Sequence, residues 1–158
     1  MPAQRLKKFL DQNHIPCRVI RHAPVFTSQE TAEAAYESGK EFAKTVMIKI
    51  DGELVMVVIP ADHKIDFEHL RHELGVRQVE LAHEKEFKRL FPDCEPGAMP
   101  PFGELYDNAV FIDEGFAEHE MISFNAGTHR EIIKMHYKDF IRVANAKPLK
   151  FILVFTRE

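Results

Sequence analysis

Cysteine is scarce in this chain. Its 158 residues hold two, Cys17 and Cys94, far apart and without a CxxC pair. No disulfide framework can be built from them, and both read as reduced thiols. Positive charge is not in excess either. Lys and Arg number 21 against 25 Asp and Glu, a formal net charge of −4. That excludes a surface that grips nucleic acid all over and leaves room for a local basic patch only. No apolar run approaches the roughly 20 residues of a membrane span. Met1-Pro2-Ala3-Gln4-Arg5 leads straight into an amphipathic segment, with no signal-peptide pattern. A cytoplasmic protein without membrane contact is expected.

The labelled chemistries are missing too. There is no Gly-x-Gly-x-x-Gly, no Gly-x-Ser-x-Gly and no phosphate-binding lysine loop. Nine histidines invite a metal, but His72-Glu73 and His83-Glu84 each start an HExxH pattern whose second histidine is replaced, by Val76 and by Phe87. No metal and no cofactor is expected.

What is present is an ordinary foldable composition, 45% apolar and 29% charged, at the length of one domain. Its clearest local signal is a hairpin. Lys44-Thr45-Val46-Met47-Ile48-Lys49-Ile50 and Glu53-Leu54-Val55-Met56-Val57-Val58-Ile59 flank Asp51-Gly52, and Asp-Gly suits the two positive-φ positions of a tight turn. A two-residue turn pairs Ile50 with Glu53 and Lys44 with Ile59. The return strand is apolar on both faces, which predicts an interior strand. Lys44 then stands at the strand start on an apolar face. There it either snorkels to solvent or lines a pocket at the sheet rim, where partial burial makes its charge effective on an anion.

Around the hairpin, periodicity predicts a helix over 3–13, a short strand over 17–21, and a helix after the capping pattern Thr27 to Glu30. It also predicts a helix from Asp66 to Gly75, a weak strand over 76–81, and a short helix through Phe87, Leu90 and Phe91. Residues 92–108 are rich in proline and glycine and read as a stiff loop. Strands at 109–113, 120–125 and 130–135, a turn at Glu114-Gly115, a helix over 137–144 and a strand over 150–156 complete the chain. The sum, about seven strands and five helices with several hairpins, predicts a mixed α/β domain on a largely antiparallel or mixed sheet over 1–158, and argues against a doubly wound parallel one.

Three segments carry candidate chemistry: Lys44; the loop Gly97-Ala98-Met99-Pro100-Pro101-Phe102-Gly103; and Asn125-Ala126-Gly127-Thr128-His129. Glycines let backbone approach a ligand, backbone N–H groups can hold an oxyanion, and His129 can hydrogen-bond or carry a proton near neutrality. Read alone, each is equally a strand-end lysine, a stiff loop, or a turn with a surface histidine.

Taken together with Phe42-Ala43-Lys44-Thr45-Val46 and the helix Thr27 to Ala35, these segments resemble the YbaK-like family, the free-standing relatives of the editing (insertion) domain of bacterial prolyl-tRNA synthetase. The resemblance spans roughly residues 15–158 and implies a largely antiparallel α/β fold around a small pocket. It implies hydrolysis, in trans, of the ester of a mischarged tRNA carrying a small amino acid, with water or the substrate's own groups as nucleophile. That accounts for the missing labelled nucleophiles. On this resemblance Lys44 holds the terminal phosphate or ribose. Gly97 and the loop through Ala98, Met99, Pro100 and Pro101 to Gly103 place backbone donors at the carbonyl. Gly127, with Asn125, Ala126 and Thr128, leaves room for the aminoacyl group. His129 shapes the pocket or holds the amine or a water, and Phe26 and Met47 are its walls. The chain departs from the family by carrying Thr128-His129 where arginine is common. The implied partners are a tRNA acceptor end and, given no anticodon-binding module, a synthetase. Arg5, Lys7, Lys8, Arg18 and Arg21 form a candidate tRNA patch. The alternatives are a binding module of the same fold without turnover and a hydrolase of another small acyl ester.

Overall fold

The Asp-Gly turn sets the centre of the molecule. Asp51 and Gly52 take φ of 49° and 87°, and the strands they join, β2 (Phe42–Ile50) and β3 (Glu53–Pro60), pair from Ile50↔Glu53 through Lys44↔Ile59, the register expected. Asp51 does a second job. Its carboxylate accepts from the N–H groups of Arg77 (3.0 Å) and Gln78 (2.8 Å), which ties the turn to the segment leading into β5 (Val79–Leu81). Replacing Asp51 by Ala removes both bonds and puts a β-carbon without a polar partner at positive φ. A loss of about 1–2 kcal/mol is expected in urea unfolding.

The computed structural model of the protein describes residues 4–22, 41–95, 97–106, 108–150 and 153–155. Phe26 and the Thr27-capped helix lie outside them. The other strands are β1 (Arg18–Arg21), β4 (His63–Ile65), β6 (Ala109–Asp113), β7 (Met121–Asn125), β8 (Glu131–His136), β9 (Lys147–Leu149) and β10 (Leu153–Phe155). The main sheet runs β1-β8-β7-β2-β3-β6-β9, with β5 also on β2, and β10 pairs with β4 separately. The hairpins are antiparallel, while β2–β7, β3–β6 and β6–β9 are parallel. The sheet is therefore mixed. β3 lies inside it, as its apolar faces require.

Helices α1 (Gln4–Gln12), α2 (Phe67–Leu74), α3 (Glu84–Phe87), α4 (Gly103–Tyr106) and α5 (Tyr137–Ala144) flank the sheet. The bounds of α2 follow from its caps: Asp66 accepts from the His69 N–H, and Gly75 turns left-handed at φ 64°. Three details differ from expectation. Residues 103–106 form one helical turn inside the irregular stretch. Glu114–Glu118 is a 3-10 helix, not a simple turn, started by the Asp113 carboxylate, which accepts from the Gly115 N–H. Residues 147–149, expected as a connection before the strand over 150–156, form β9, whose Pro148 is tolerated because β9 is an edge strand.

Side-chain alternation along β2 divides the core. Met47 packs with Phe102, Phe124, Ala126 and Phe140 in the larger cluster, and Ile48 with Val55, Val57 and Ile59 in the smaller one. Phe102 meets Phe124 and Phe140 edge-on at 5.3 and 5.4 Å, so the proline-rich loop is anchored in the larger cluster.

Candidate functional site

The site forms where β2 changes partners. On one edge β2 pairs with β7 at Phe42 and Ala43, then with β5 from Ile48 to Ile50. Between these pairings the edge is open among the described residues, apart from the Met47 carbonyl, which accepts from the Ala82 N–H at 3.0 Å. A cavity of about 370 Å³ lies beside the opening, lined by Thr45, Met47, Ala82, Phe87, Gly97 and Met99 among others. That volume is at the small end of ligand sites, roughly 300–1,000 Å³.

Two loops meet at this opening and are stitched by backbone bonds. Glu95 N–H donates to Gly127 O (2.7 Å), Gly127 N–H to Ala98 O (3.0 Å), and Ala98 N–H to Glu95 O (3.1 Å). The Glu95 carboxylate accepts from the His129 N–H at 3.0 Å. Gly97 and Gly127 take φ of 82° and 96°, in the region that disfavours a β-carbon. A β-carbon on Gly97 would stand 3.5 Å from His129 Cε1, so the exposed Gly97 backbone rests against a buried imidazole, 7% exposed. The loop is further braced from outside. Tyr106 donates its hydroxyl to Asp93 (3.1 Å), which also accepts from the Arg5 N–H (3.3 Å). Cys94 lies 3.3 Å from the Tyr106 hydroxyl, and burial pushes its thiol up to about 12. Cys94 is accordingly a packing group held as the thiol.

Lys44 lies next to this opening along β2, with its side chain on the other face of the sheet. Alternation puts it opposite in sense to Thr45 and Met47, and it is not among the described residues lining the cavity. It is half-buried. Burial lowers its pKa, and the Asp62 carboxylate partly restores it. One residue past the Ala43↔Phe124 pair, it comes level with Asn125. The Asn125 Oδ1 is buried with no hydrogen-bond partner among the described residues, an acceptor left unspent.

The remaining expected residues divide. Ala98, Met99, Pro100 and Pro101 are buried, as are Asn125, Ala126 and Gly127; Thr128 is half-buried, and its Oγ1 accepts from the Arg130 N–H at 3.3 Å. Gly103 stands apart. It lines a different, larger cleft of about 910 Å³ with Asn108, Phe111, Arg142 and Lys147, where none of Lys44, Gly97, Gly127 and His129 appears. Packing alone accounts for a glycine there: a β-carbon would fall 2.1 Å from Asn108 O. Of the basic patch, Lys7, Lys8 and Arg18 are exposed, but Arg5 donates to Leu105 O (3.4 Å) and stacks 5.6 Å over the Tyr106 ring, and Arg21 lies 3.7 Å from Glu131. Among the described residues no group of three His, Cys, Asp or Glu could hold a metal ion, and no helix is long and apolar enough to cross a membrane. Glu95, Ala82 and Phe87 belong to the site without a signal in the sequence, since only tertiary pairing brings them there.

A family model for the aminoacyl-tRNA editing domain matches residues 22–143. The chain belongs to this family. A multifunctional Ser/Thr-tRNA deacylase of Escherichia coli K12, ProXp-y, is 27% identical over 153 residues, covering 94% of this chain and 91% of that protein. A proline–tRNA ligase of Staphylococcus epidermidis is 35% identical over 107 residues, 68% of this chain and 18% of the ligase, so the editing domain matches a small part of that enzyme. A solved structure described as a candidate trans-editing enzyme for prolyl tRNA synthetase superposes with TM-score 0.79 at 17% identity, over 94% of this chain and 95% of the other, and shows the editing-domain fold.

Proposed function

We propose that this editing domain hydrolyses, in trans, the ester of a mischarged aminoacyl-tRNA carrying a small amino acid. The observation that carries the reading is the stitched pair of loops, which sets Gly97 against His129 at the mouth of a small cavity. The stitching keeps the Gly97 segment in place, and an active-site misplacement of 1 Å can cost on the order of 100-fold in rate. Lys44, half-buried on the opposite face beside the same opening, suits the ribose or phosphate of the RNA end. With Cys94 a packing group, the attacking group is water, which releases the free amino acid and leaves the terminal ribose hydroxyl as the departing group. Choice among tRNAs then rests on the acceptor end or on a synthetase that presents it.

The cavity sets a limit on selectivity. One methylene is worth about 1–3 kcal/mol, so it rejects large side chains better than it separates small ones. Similarity to the E. coli Ser/Thr-tRNA deacylase supports trying serine and threonine first, with alanine and cysteine next. The test is a panel of seryl-, threonyl-, alanyl-, cysteinyl- and prolyl-tRNA. Rapid hydrolysis of one or two small esters with prolyl-tRNA spared is the expected result. A folded protein that deacylates none of them would refute the reading.

A further inference from the structure

The peptide group of Thr45 faces this opening. Successive residues of a strand aim their N–H and C=O groups at alternate edges. On β2 the even residues face β3, because Phe42 O accepts from the Ala61 N–H at 2.8 Å. The odd residues face the other edge, because Glu41 O accepts from the Ser123 N–H (3.1 Å) and Met47 O from the Ala82 N–H (3.0 Å). Thr45 lies between them. The β2–β7 pairing stops at Ala43↔Phe124 and the β2–β5 pairing starts at Ile48↔Leu81. Thr45 therefore offers one N–H and one C=O, side by side, to the opening, with no strand across from them among the described residues.

We propose that this peptide group binds the aminoacyl ester as one residue of an antiparallel strand. The inference rests on the deacylase reading and extends it. In an antiparallel hydrogen-bonded pair, two facing residues exchange both N–H···O=C bonds. An α-aminoacyl ester carries the matching set: its ammonium donates to Thr45 C=O, and its ester carbonyl accepts from the Thr45 N–H. The second bond lies where negative charge develops as a nucleophile adds to the carbonyl.

Two placements follow from the same pairing. Facing residues in a sheet put their side chains on one face, so the aminoacyl side chain of an L-amino acid falls on the face of Thr45 and Met47. That is the face of the 370 Å³ cavity with Met99, Ala82 and Phe87. An antiparallel direction sends the ester oxygen and ribose back toward the start of β2, where Lys44 stands. The pairing thus gives the cavity and the lysine, which lie on opposite faces, parts in holding one substrate. It also defines the substrate class as L-α-amino acid esters and excludes acyl esters without an α-nitrogen.

The test compares Thr45→Pro with Thr45→Ala on the best ester of the panel. Proline removes the N–H at a free edge, where a strand tolerates it, whereas alanine keeps the N–H and removes the hydroxyl. Thr45→Pro is expected to react about 100-fold or more slowly than Thr45→Ala, in the range found for a lost oxyanion donor; both variants lack the hydroxyl, so their ratio isolates the N–H. The desamino ester of the same acid should react at least about tenfold more slowly, for want of the ammonium bond. In case Thr45→Pro fails to fold, the wild-type amide is read directly by NMR. A non-hydrolysable 3′-aminoacylamido adenosine should shift the Thr45 N–H and slow its exchange, while the Ala43 N–H, inside the β2–β7 ladder, stays put. Equal rates for Thr45→Pro and Thr45→Ala, or an unmoved Thr45 amide with the analogue bound, would overturn this inference and leave the deacylase standing. A wild-type protein that deacylates nothing overturns both.

Discussion

Replacing Lys44 by Ala is expected to cut deacylation by about 100-fold or more while the protein stays folded. Lys44 stands at the start of the central hairpin strand, opposite Ile59, and it is held half out of water there. Burial lowers its pKa and Asp62 only partly offsets that, so the folded state bears a cost for keeping the charge. A charge held at such a cost is consistent with a role in binding rather than in stability. Stability should therefore move in the opposite direction to activity. The unfolded chain keeps an ordinary lysine value, about 10.4. Between the lowered folded value and that one, the unfolded state holds the extra proton, and stability rises with pH across the window. Lys44→Met, which fills the same space without charge, should raise the unfolding midpoint at pH 7. Its advantage should shrink as pH climbs through the window. Activity in Lys44→Ala near wild type, or a Lys44→Met protein less stable than wild type at pH 7, would remove Lys44 from the site or place it in the core.

The hairpin register was readable because a local rule dictates it: Asp51 and Gly52 accept positive φ, and a two-residue turn leaves one pairing. The ends of α2 were readable for the same kind of reason, Asp66 capping and Gly75 turning left-handed. The helix over 137–144 matches because its apolar residues Tyr137, Phe140, Ile141 and Ala144 recur at helical spacing. What stayed hidden depends on strands distant in sequence. Nothing local says that β7 docks parallel on Phe42 and Ala43 and leaves the next residues of β2 open. Nothing near Glu95 announces that its carboxylate will hold the His129 N–H. The cavity walls Ala82 and Phe87 come from a stretch with weak periodicity, and they reach the site only because β5 takes over the edge of β2 that β7 leaves. The resemblance to editing domains found the segments that meet. That Lys44 and Met47 leave the strand on opposite faces was readable from alternation alone; the vacant edge between them was not.

Gly103 supplies the sharpest contrast between a motif and its physical role. It closes the glycine-proline loop in the sequence and was expected beside the substrate, yet a β-carbon there would lie 2.1 Å from the Asn108 carbonyl oxygen and 2.3 Å from Val110 Cγ2. The Asn108 oxygen belongs to backbone, and the Asn108 N–H already donates to Gly103 O at 2.9 Å, so the turn into β6 cannot yield without losing that bond and shifting Val110, 4% exposed, out of the core. Gly103→Ala is expected to destabilise the protein by roughly 3 kcal/mol or more, the upper range for overpacking. Gly75→Ala is the control: its β-carbon meets nothing within 4 Å, and its left-handed φ alone should cost about 1 kcal/mol. Urea unfolding of the two variants measures the difference. The decisive second reading is kcat per folded molecule at low temperature. If Gly103 acts only through packing, folded Gly103→Ala should deacylate at close to the wild-type rate. A stable Gly103→Ala that loses turnover would return this glycine to the substrate.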